Sequence, residues 1–182
     1  MIKAIVILSL LIILSFQEIV LLNSKKINCV PRNTMIKRAK DWVTKHIPYS
    51  QQKTHDGYRT DCSGFISMCW GLGKPGLTTF SMHTVAHNIT KKDLQPGDAM
   101  NCDSEHIVLF AGWSNSSKTH YIAMEEANTA EGTVKKVIPY PYFKNNKCFH
   151  PIRYNNVCWK NCDLSTQISS LEKLKEKNHI YR

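Results

Sequence analysis

The stretch that decides the fold runs from Asp61-Cys62-Ser63-Gly64-Phe65 into Ile66-Ser67-Met68-Cys69-Trp70. It follows the polar, turn-like Arg59-Thr60, and its second half is almost entirely apolar without Gly or Pro. The side-chain oxygen of Asp61 or Thr60 can cap a helix that begins here, with Cys62 in its first turn. The free N–H groups and positive dipole end of a helix start favour a thiolate over a thiol. The sequence therefore predicts a helix that carries a nucleophilic cysteine.

A base and a group to orient it follow further along the chain. His106 opens the apolar run 107–111, which has the pattern of a buried strand. A second predicted strand begins at Tyr121 and ends in Glu125-Glu126. Strand alternation puts the two glutamates on opposite faces, and we predict that Glu125 orients the histidine, with Glu126 as the alternative. Cys62, His106 and Glu125 then form a nucleophile, base and orienting group.

Three blocks together resemble the signature of the NlpC/P60 cysteine peptidases. They are Asp61-Cys62-Ser63-Gly64-Phe65, Leu94-Gln95-Pro96-Gly97-Asp98 and the segment His106 to Gly112, in that order. Each block is weak alone, but three in order at workable spacing are specific. The resemblance spans roughly residues 36–154. It implies an α+β, papain-like fold in which the nucleophile lies on a helix packed against an antiparallel β-sheet.

The chain also departs from that family. Many members carry Tyr-x-Trp-Gly-Gly before the cysteine, with the tyrosine lining the site; here Tyr49 stands without the Trp-Gly-Gly, and Tyr58 lies closer to Cys62. The third catalytic group of the family is often histidine, asparagine or glutamine, whereas this strand offers glutamate. We expect four residues that precede or follow the nucleophile to contact the substrate: Tyr49, Tyr58, Asp61 and Ser63. Asp61 also serves as the expected helix cap.

The resemblance implies a hydrolase that cuts amide bonds in bacterial cell-wall peptides through a thioester, with no metal or organic cofactor. Zinc is disfavoured by the residues themselves, because Cys102-x3-His106 and Cys158-x3-Cys162 do not form a standard ligand framework. Two other functions stay open: an inactive secreted binding protein that keeps the groove, and a thiol acyltransferase of related fold. A Cys62 held in a disulfide would favour the binding protein.

The N-terminus predicts export. Lys3 precedes an uncharged apolar stretch from Ala4 to Phe16, which is typical of a signal peptide. We assign residues 1–24 to it, although the apolar residues after Glu18 could extend it into an uncleaved membrane anchor. Residues 25–162 form the predicted catalytic domain, and residues 163–182 a tail that is helical or disordered. We expect a secreted monomer, with membrane contact only if the N-terminal segment is retained.

Seven cysteines agree with a secreted protein. If Cys62 is free, the remaining six allow fifteen pairings, including a small loop closed by Cys158 and Cys162. Cys69 can alternatively be a buried thiol. Two sequons, at Asn88 and Asn115, permit glycosylation.

A net charge of +10 comes from dispersed lysines and arginines. This charge can attract an anionic bacterial wall. Nucleic acid is not an expected partner, because the basic residues are not interleaved with aromatic ones.

The periodicity predicts a helix near 35–43, the helix that begins at Cys62, and a short helix near 79–88. Residues 50–60 are predicted to be a polar loop beside the substrate. Five strands are predicted near 99–101, 106–113, 121–125, 134–138 and 149–154. Helices followed by an antiparallel sheet are an α+β arrangement.

Overall fold

The computed structural model describes residues 29–158 of the 182-residue chain. Two helices come first among the main elements, α1 (Arg32–Lys45) and α2 (Cys62–Trp70). A hairpin between them pairs β1 (Ser50–His55) with β2 (Tyr58–Thr60). Six further strands follow: β3 (Ala86–Asn88), β4 (Ala99–Cys102), β5 (His106–Trp113), β6 (His120–Glu126), β7 (Thr133–Pro139) and β8 (His150–Tyr154).

These six strands form one antiparallel sheet in the order β3-β8-β4-β5-β6-β7. The predicted α+β class is confirmed, and each of the five predicted strands is present. The predicted signal peptide and C-terminal tail lie outside the described residues. In the part of the chain that the structure describes, no helix has the length and apolarity needed to cross a membrane.

Helix α1 forms where the sequence predicts it but begins earlier. Its buried residues Met35, Ala39 and Trp42 recur at helical spacing and face the core. Pro31, with φ −63°, occupies the cap position, so the chain enters the helix through proline rather than through a polar side chain. The helix ends at His46, which adopts the left-handed conformation (φ 49°).

Helix α2 is capped and terminated as its sequence predicts. The Gly64 N–H donates to Asp61 Oδ1 at 2.6 Å, and Gly71 (φ 70°) ends the helix. All nine helical residues are buried, because α2 lies between α1, the hairpin and the main sheet. Gly64 makes this possible: a Cβ there would lie 2.0 Å from the Arg59 carbonyl oxygen of β2.

Two local predictions are wrong. Residues 50–60 form the β1–β2 hairpin rather than a loop, because Asp56-Gly57 (φ 52° and 83°) supplies the positive φ angles of a tight turn. The exposed, polar β1 gives no apolar alternation by which to recognise it. The helix predicted near 79–88 is a 3₁₀ helix, Phe80–Thr84, followed by β3. There Ala86–Asn88 pairs with the buried strand β8.

The main sheet is covered on both faces. Its helix-facing side packs under α1 and α2 through Ala99, Ile107, Leu109, Met124 and Ile152. The opposite side buries a second apolar cluster that includes Met100, Val108, Phe110, Tyr121, Ala123 and Ile138. Strands β4, β5 and β6 are therefore buried on both faces, which explains the apolar runs 107–111 and 121–124.

Two disulfides close the domain, Cys29–Cys158 and Cys102–Cys148. The predicted alternative of a local Cys158–Cys162 loop is wrong, because Cys158 bonds to Cys29 at the other end of the described chain. Val30 also pairs with Val157 beside that disulfide. Cys62 and Cys69 are both free thiols. Disulfides of this kind are typical of proteins in oxidising compartments.

The Pro96-Gly97-Asp98 turn is structural. Asp98 is 1% exposed and accepts from Arg32 Nη1 at 2.8 Å and from Arg153 Nε and Nη2 at 3.0 and 2.8 Å. It thereby links the start of α1 to β8 across the sheet.

Candidate active site

The site is built at the start of β5 and the end of β6. Strand register places His106 at the first position of β5, and β6 runs antiparallel beside it. The His106 ring Nε2 lies 2.6 Å from Glu125 Oε2, which is itself 1% exposed. The structure therefore brings together the predicted base and the predicted orienting carboxylate. Because Glu125 occupies Nε2, the free ring nitrogen of His106 is Nδ1.

Cys62 approaches His106 from helix α2, which packs on the main sheet. Its position in the first turn of α2 brings the thiol close to the His106 side chain, near enough for Cys62 to raise the pKa of the histidine. The thiol is free and the residue is 8% exposed. Cys62, His106 and Glu125, which are far apart in sequence, thus form one chain of contacts from thiol to imidazole to carboxylate. Such a chain can hold a thiolate–imidazolium pair.

The electrostatics of His106 favour its charged form. Burial alone lowers the pKa, but hydrogen bonds and charge interactions with Cys62 and Glu125 outweigh it and raise the pKa of His106 to about 9. An imidazolium is therefore available across the neutral range. Through Nδ1 it can first stabilise a thiolate and then donate a proton to a leaving group.

Two aromatic residues at this site were not predicted from the sequence. The Tyr142 hydroxyl donates to Glu125 Oε2 at 3.2 Å, and its ring centroid lies 5.8 Å from that of His106. Phe149 stacks on Tyr142 at 4.2 Å and meets His106 edge-on at 6.4 Å. The sequence features that could have indicated them are the aromatic-rich segment 140–143 and the phenylalanine next to Cys148, which lie between two predicted strands.

Glu126, the alternative to Glu125, points to the opposite face of the sheet. It is 0% exposed, and its Oε1 lies 2.5 Å from Thr133 Oγ1, which is also 3.1 Å from the Ile47 carbonyl. Burial, reinforced by the charge of Asp61 and only partly offset by Thr133, raises the pKa of Glu126 to about 7. The Thr133 hydroxyl has one proton, so it cannot donate to both the Ile47 carbonyl and Glu126. A protonated Glu126 that donates to Thr133 Oγ1 allows Thr133 to donate to Ile47, and both hydrogen bonds then form.

Of the two candidate tyrosines, Tyr49 is the one near Cys62. It is half-buried, and burial, together with the charges of Cys62, Asp61 and Glu126, raises its pKa. It also lines a cavity of about 290 Å³ formed with the β1–β2 hairpin.

Tyr58 is directed elsewhere. Its hydroxyl donates to the Leu72 carbonyl at 2.7 Å, beyond the C-terminal end of α2. Its ring lies under Lys74 and lines a separate cavity of about 500 Å³ beside α1. The structure thus does not bring Tyr58 to Cys62 and His106.

Asp61 and Ser63 are engaged in local structure. Asp61 Oδ1 accepts from the Gly64 N–H and the Ser63 hydroxyl, and Oδ2 accepts from Arg59 Nε at 2.8 Å. Arg59 in turn donates to the carbonyls of Gly76 and Leu77, which fixes the loop after α2. These contacts hold the N-terminus of α2, and with it Cys62, in place.

Among the described residues, one group of ligand-type side chains lies close together: Cys102, Glu105 and Cys148. Two of its three members form a disulfide, so their sulfurs are already bonded.

Comparison with known proteins identifies a similar fold. The chain resembles the crystal structure of an NlpC/P60 family protein from Bacillus cereus ATCC 10987, with a TM-score of 0.50 and 16% sequence identity. The match covers 71% of this chain and 42% of that one, so the chain spans less than half of its length. Likeness at this identity shows the fold alone. No protein-family profile and no curated protein match the sequence.

Proposed function

We propose that this protein is a secreted cysteine hydrolase that cleaves amide bonds in bacterial cell-wall peptides. The observation that carries the proposal is the position of His106, whose ring bonds to the buried carboxylate of Glu125 and lies close to the free thiol of Cys62. The similarity in fold to an NlpC/P60 protein supports the substrate class. The net charge of +10 favours association with an anionic wall.

In this mechanism Cys62 transfers its proton to His106 Nδ1, and Glu125 stabilises the resulting imidazolium. The thiolate attacks the amide carbonyl carbon. The N–H groups of Cys62 and Ser63 have no intrahelical acceptor in the first turn of α2, and they are suited to bind the oxyanion. His106 then protonates the leaving amine as the C–N bond breaks. Water, deprotonated by His106, hydrolyses the thioester and releases the acid.

The free state of Cys62 supports a hydrolase over a binding protein, which would not need an unpaired thiol beside a histidine. Glu125 offers the histidine a negative charge, which the family's more frequent third residues, histidine, asparagine and glutamine, do not carry. Tyr49 is the proposed substrate contact of the two tyrosines, because it lies near Cys62.

The test is digestion of purified peptidoglycan, with mass spectrometry of the released stem peptides. Wild type and Cys69→Ala should release new amines and carboxylates, whereas Cys62→Ala should not. Cys69 is the matched control because it is also a free thiol but lies in the core, where burial raises its pKa. Binding of peptidoglycan without cleavage by any variant would favour the binding protein. Transfer of the acyl group to an added amine without net hydrolysis would favour the acyltransferase.

A further inference from the structure

The loop between β7 and β8 covers the His106–Glu125 pair. It is tied down at one end by the Cys102–Cys148 disulfide, and Cys102 is the cross-strand partner of His106. The Asn146 side chain adds a hydrogen bond to Glu105 at 3.2 Å. The loop therefore cannot move away from the start of β5 without breaking these links.

This attachment places Tyr142 over the carboxylate. Its hydroxyl reaches Glu125 Oε2, the same oxygen that bonds with His106 Nε2. Phe149, the neighbour of Cys148 in sequence, stacks on the Tyr142 ring and fixes its plane. Glu125 Oε2 thus accepts two hydrogen bonds, one from the imidazole and one from the phenol.

We propose that Tyr142 is a positioning residue of this site, whose hydroxyl holds Glu125 and limits how tightly that carboxylate holds the protonated His106. This inference rests on the proposed function. The phenol shares the carboxylate's negative charge, so less of it acts on the imidazolium. Without that donor, the Glu125–His106 pair becomes stronger and His106 releases its proton less readily. Proton delivery to the leaving amine then slows, because general acid catalysis weakens as the acid becomes weaker.

The Tyr142 hydroxyl stays a hydrogen-bond donor throughout the neutral pH range. Burial and the charge of Glu125 raise its pKa, so the hydroxyl remains protonated. Other titratable groups also face this cluster from the packed elements: Cys62 from α2, Tyr121 from β6 and Glu131 from the β6–β7 turn. Burial raises the pKa of Tyr121, so its hydroxyl is neutral, whereas the hydrogen bond with Lys136 lowers the pKa of Glu131 and keeps its carboxylate charged.

The test compares Tyr142→Phe with Tyr140→Phe. Both remove one hydroxyl from the same loop and keep the ring, but the Tyr140 ring packs against Trp113 and Lys91 instead of the site. The primary readout is the titration of the His106 ring, followed by NMR in the full-length protein and assigned with His106→Ala. The second readout is the alkylation of Cys62 by iodoacetamide.

In Tyr142→Phe the His106 midpoint should rise by about one pH unit, the lower end of the scale of one lost hydrogen bond to a charged group. Tyr140→Phe should leave it unchanged. Where peptide hydrolysis is measured, Tyr142→Phe should lower kcat several-fold with little change in KM. If Cys62 is alkylated in the wild type but the His106 midpoint is unchanged or lowered in Tyr142→Phe, this inference alone is overturned. A wild type whose Cys62 is not alkylated would overturn the proposed function and this inference with it.

Discussion

Replacing Gly64 with alanine tests whether the packing of α2 against β2 positions the nucleophile. An alanine Cβ would lie 2.0 Å from the Arg59 carbonyl oxygen and 2.8 Å from its carbonyl carbon. Ordinary carbon–oxygen contacts are about 3.3 Å or longer, so helix and strand must separate by roughly 1 Å. The atoms in the way are backbone, and no side-chain rotation can relieve the contact.

The expected loss of stability combines three effects. Overpacking costs about 1–3 kcal/mol, and disturbing the Gly64 N–H to Asp61 cap costs about 1 kcal/mol more. The higher helix propensity of alanine returns up to about 1 kcal/mol. We therefore expect a net destabilisation of about 2–3 kcal/mol, or roughly 10 °C in Tm. Cys62 is two residues away, and a displacement of this size should lower its reactivity as much as 100-fold.

The assay is urea unfolding together with the rate of Cys62 alkylation at pH 6. Gly73→Ala is the matched control, because a Cβ at Gly73 meets nothing within 4 Å and its backbone needs no left-handed φ. A Gly64→Ala protein as stable and as reactive as wild type would refute the packing argument. Equal damage from Gly73→Ala would refute it as well.

Three further substitutions test separate parts of the account. Asp98→Asn should lower the free energy of unfolding by about 3 kcal/mol or more, since it removes a buried carboxylate that pairs with two arginines, and urea unfolding measures this. Glu126→Gln should flatten the pH dependence of stability. Because the pKa of Glu126 is raised to about 7 in the folded protein, this group stabilises the folded wild type fully below about pH 4.5, and that stabilisation is lost as pH rises through 7. The stability of Glu126→Gln relative to wild type should therefore rise by about 3 kcal/mol between pH 4.5 and 8, as thermal unfolding at each pH shows. Glu125→Gln should lower the pKa of His106 from about 9 towards 6.5 and reduce the rate of Cys62 alkylation at pH 8 about 10–100-fold.

Each of these has a control in the same chain. Asp41→Asn removes an exposed pair with Lys45 and should leave the free energy of unfolding almost unchanged. Glu125→Gln and Glu126→Gln control for each other, because the first should change reactivity and the second should change the pH dependence of stability. Equal effects of the two glutamates on Cys62 alkylation would contradict the separation of their roles.

The sequence was enough to predict the elements that carry strong local signals. The cap at Asp61, the apolar run of α2 and the buried strands β5 and β6 each follow from residue type and spacing. Alternation separated Glu125 from Glu126, although the face on which Glu125 lies is no more apolar than the other, since β6 is buried on both sides. The structure decides between them by the hydrogen bond between His106 Nε2 and Glu125 Oε2.

What sequence reasoning missed depends on contacts between distant segments. Tyr142 reaches the site because the Cys102–Cys148 disulfide, one of many possible pairings, fixes its loop to β4. The β1–β2 hairpin is too polar to show alternation, and only Asp56-Gly57 marks its turn. Tyr58 is close to Cys62 in sequence, but its hydroxyl bonds to the Leu72 carbonyl beyond the C-terminal end of α2.

The most direct test of the central claim is the rate of alkylation of Cys62 by iodoacetamide at pH 6, mapped by mass spectrometry in the wild type and in His106→Ala. Cys69 is an internal control, because its buried thiol has a raised pKa and should stay unmodified in the folded protein. The account predicts rapid modification of Cys62 alone, slowed strongly in His106→Ala. A Cys62 that reacts no faster than Cys69, or that reacts equally fast without His106, would contradict it.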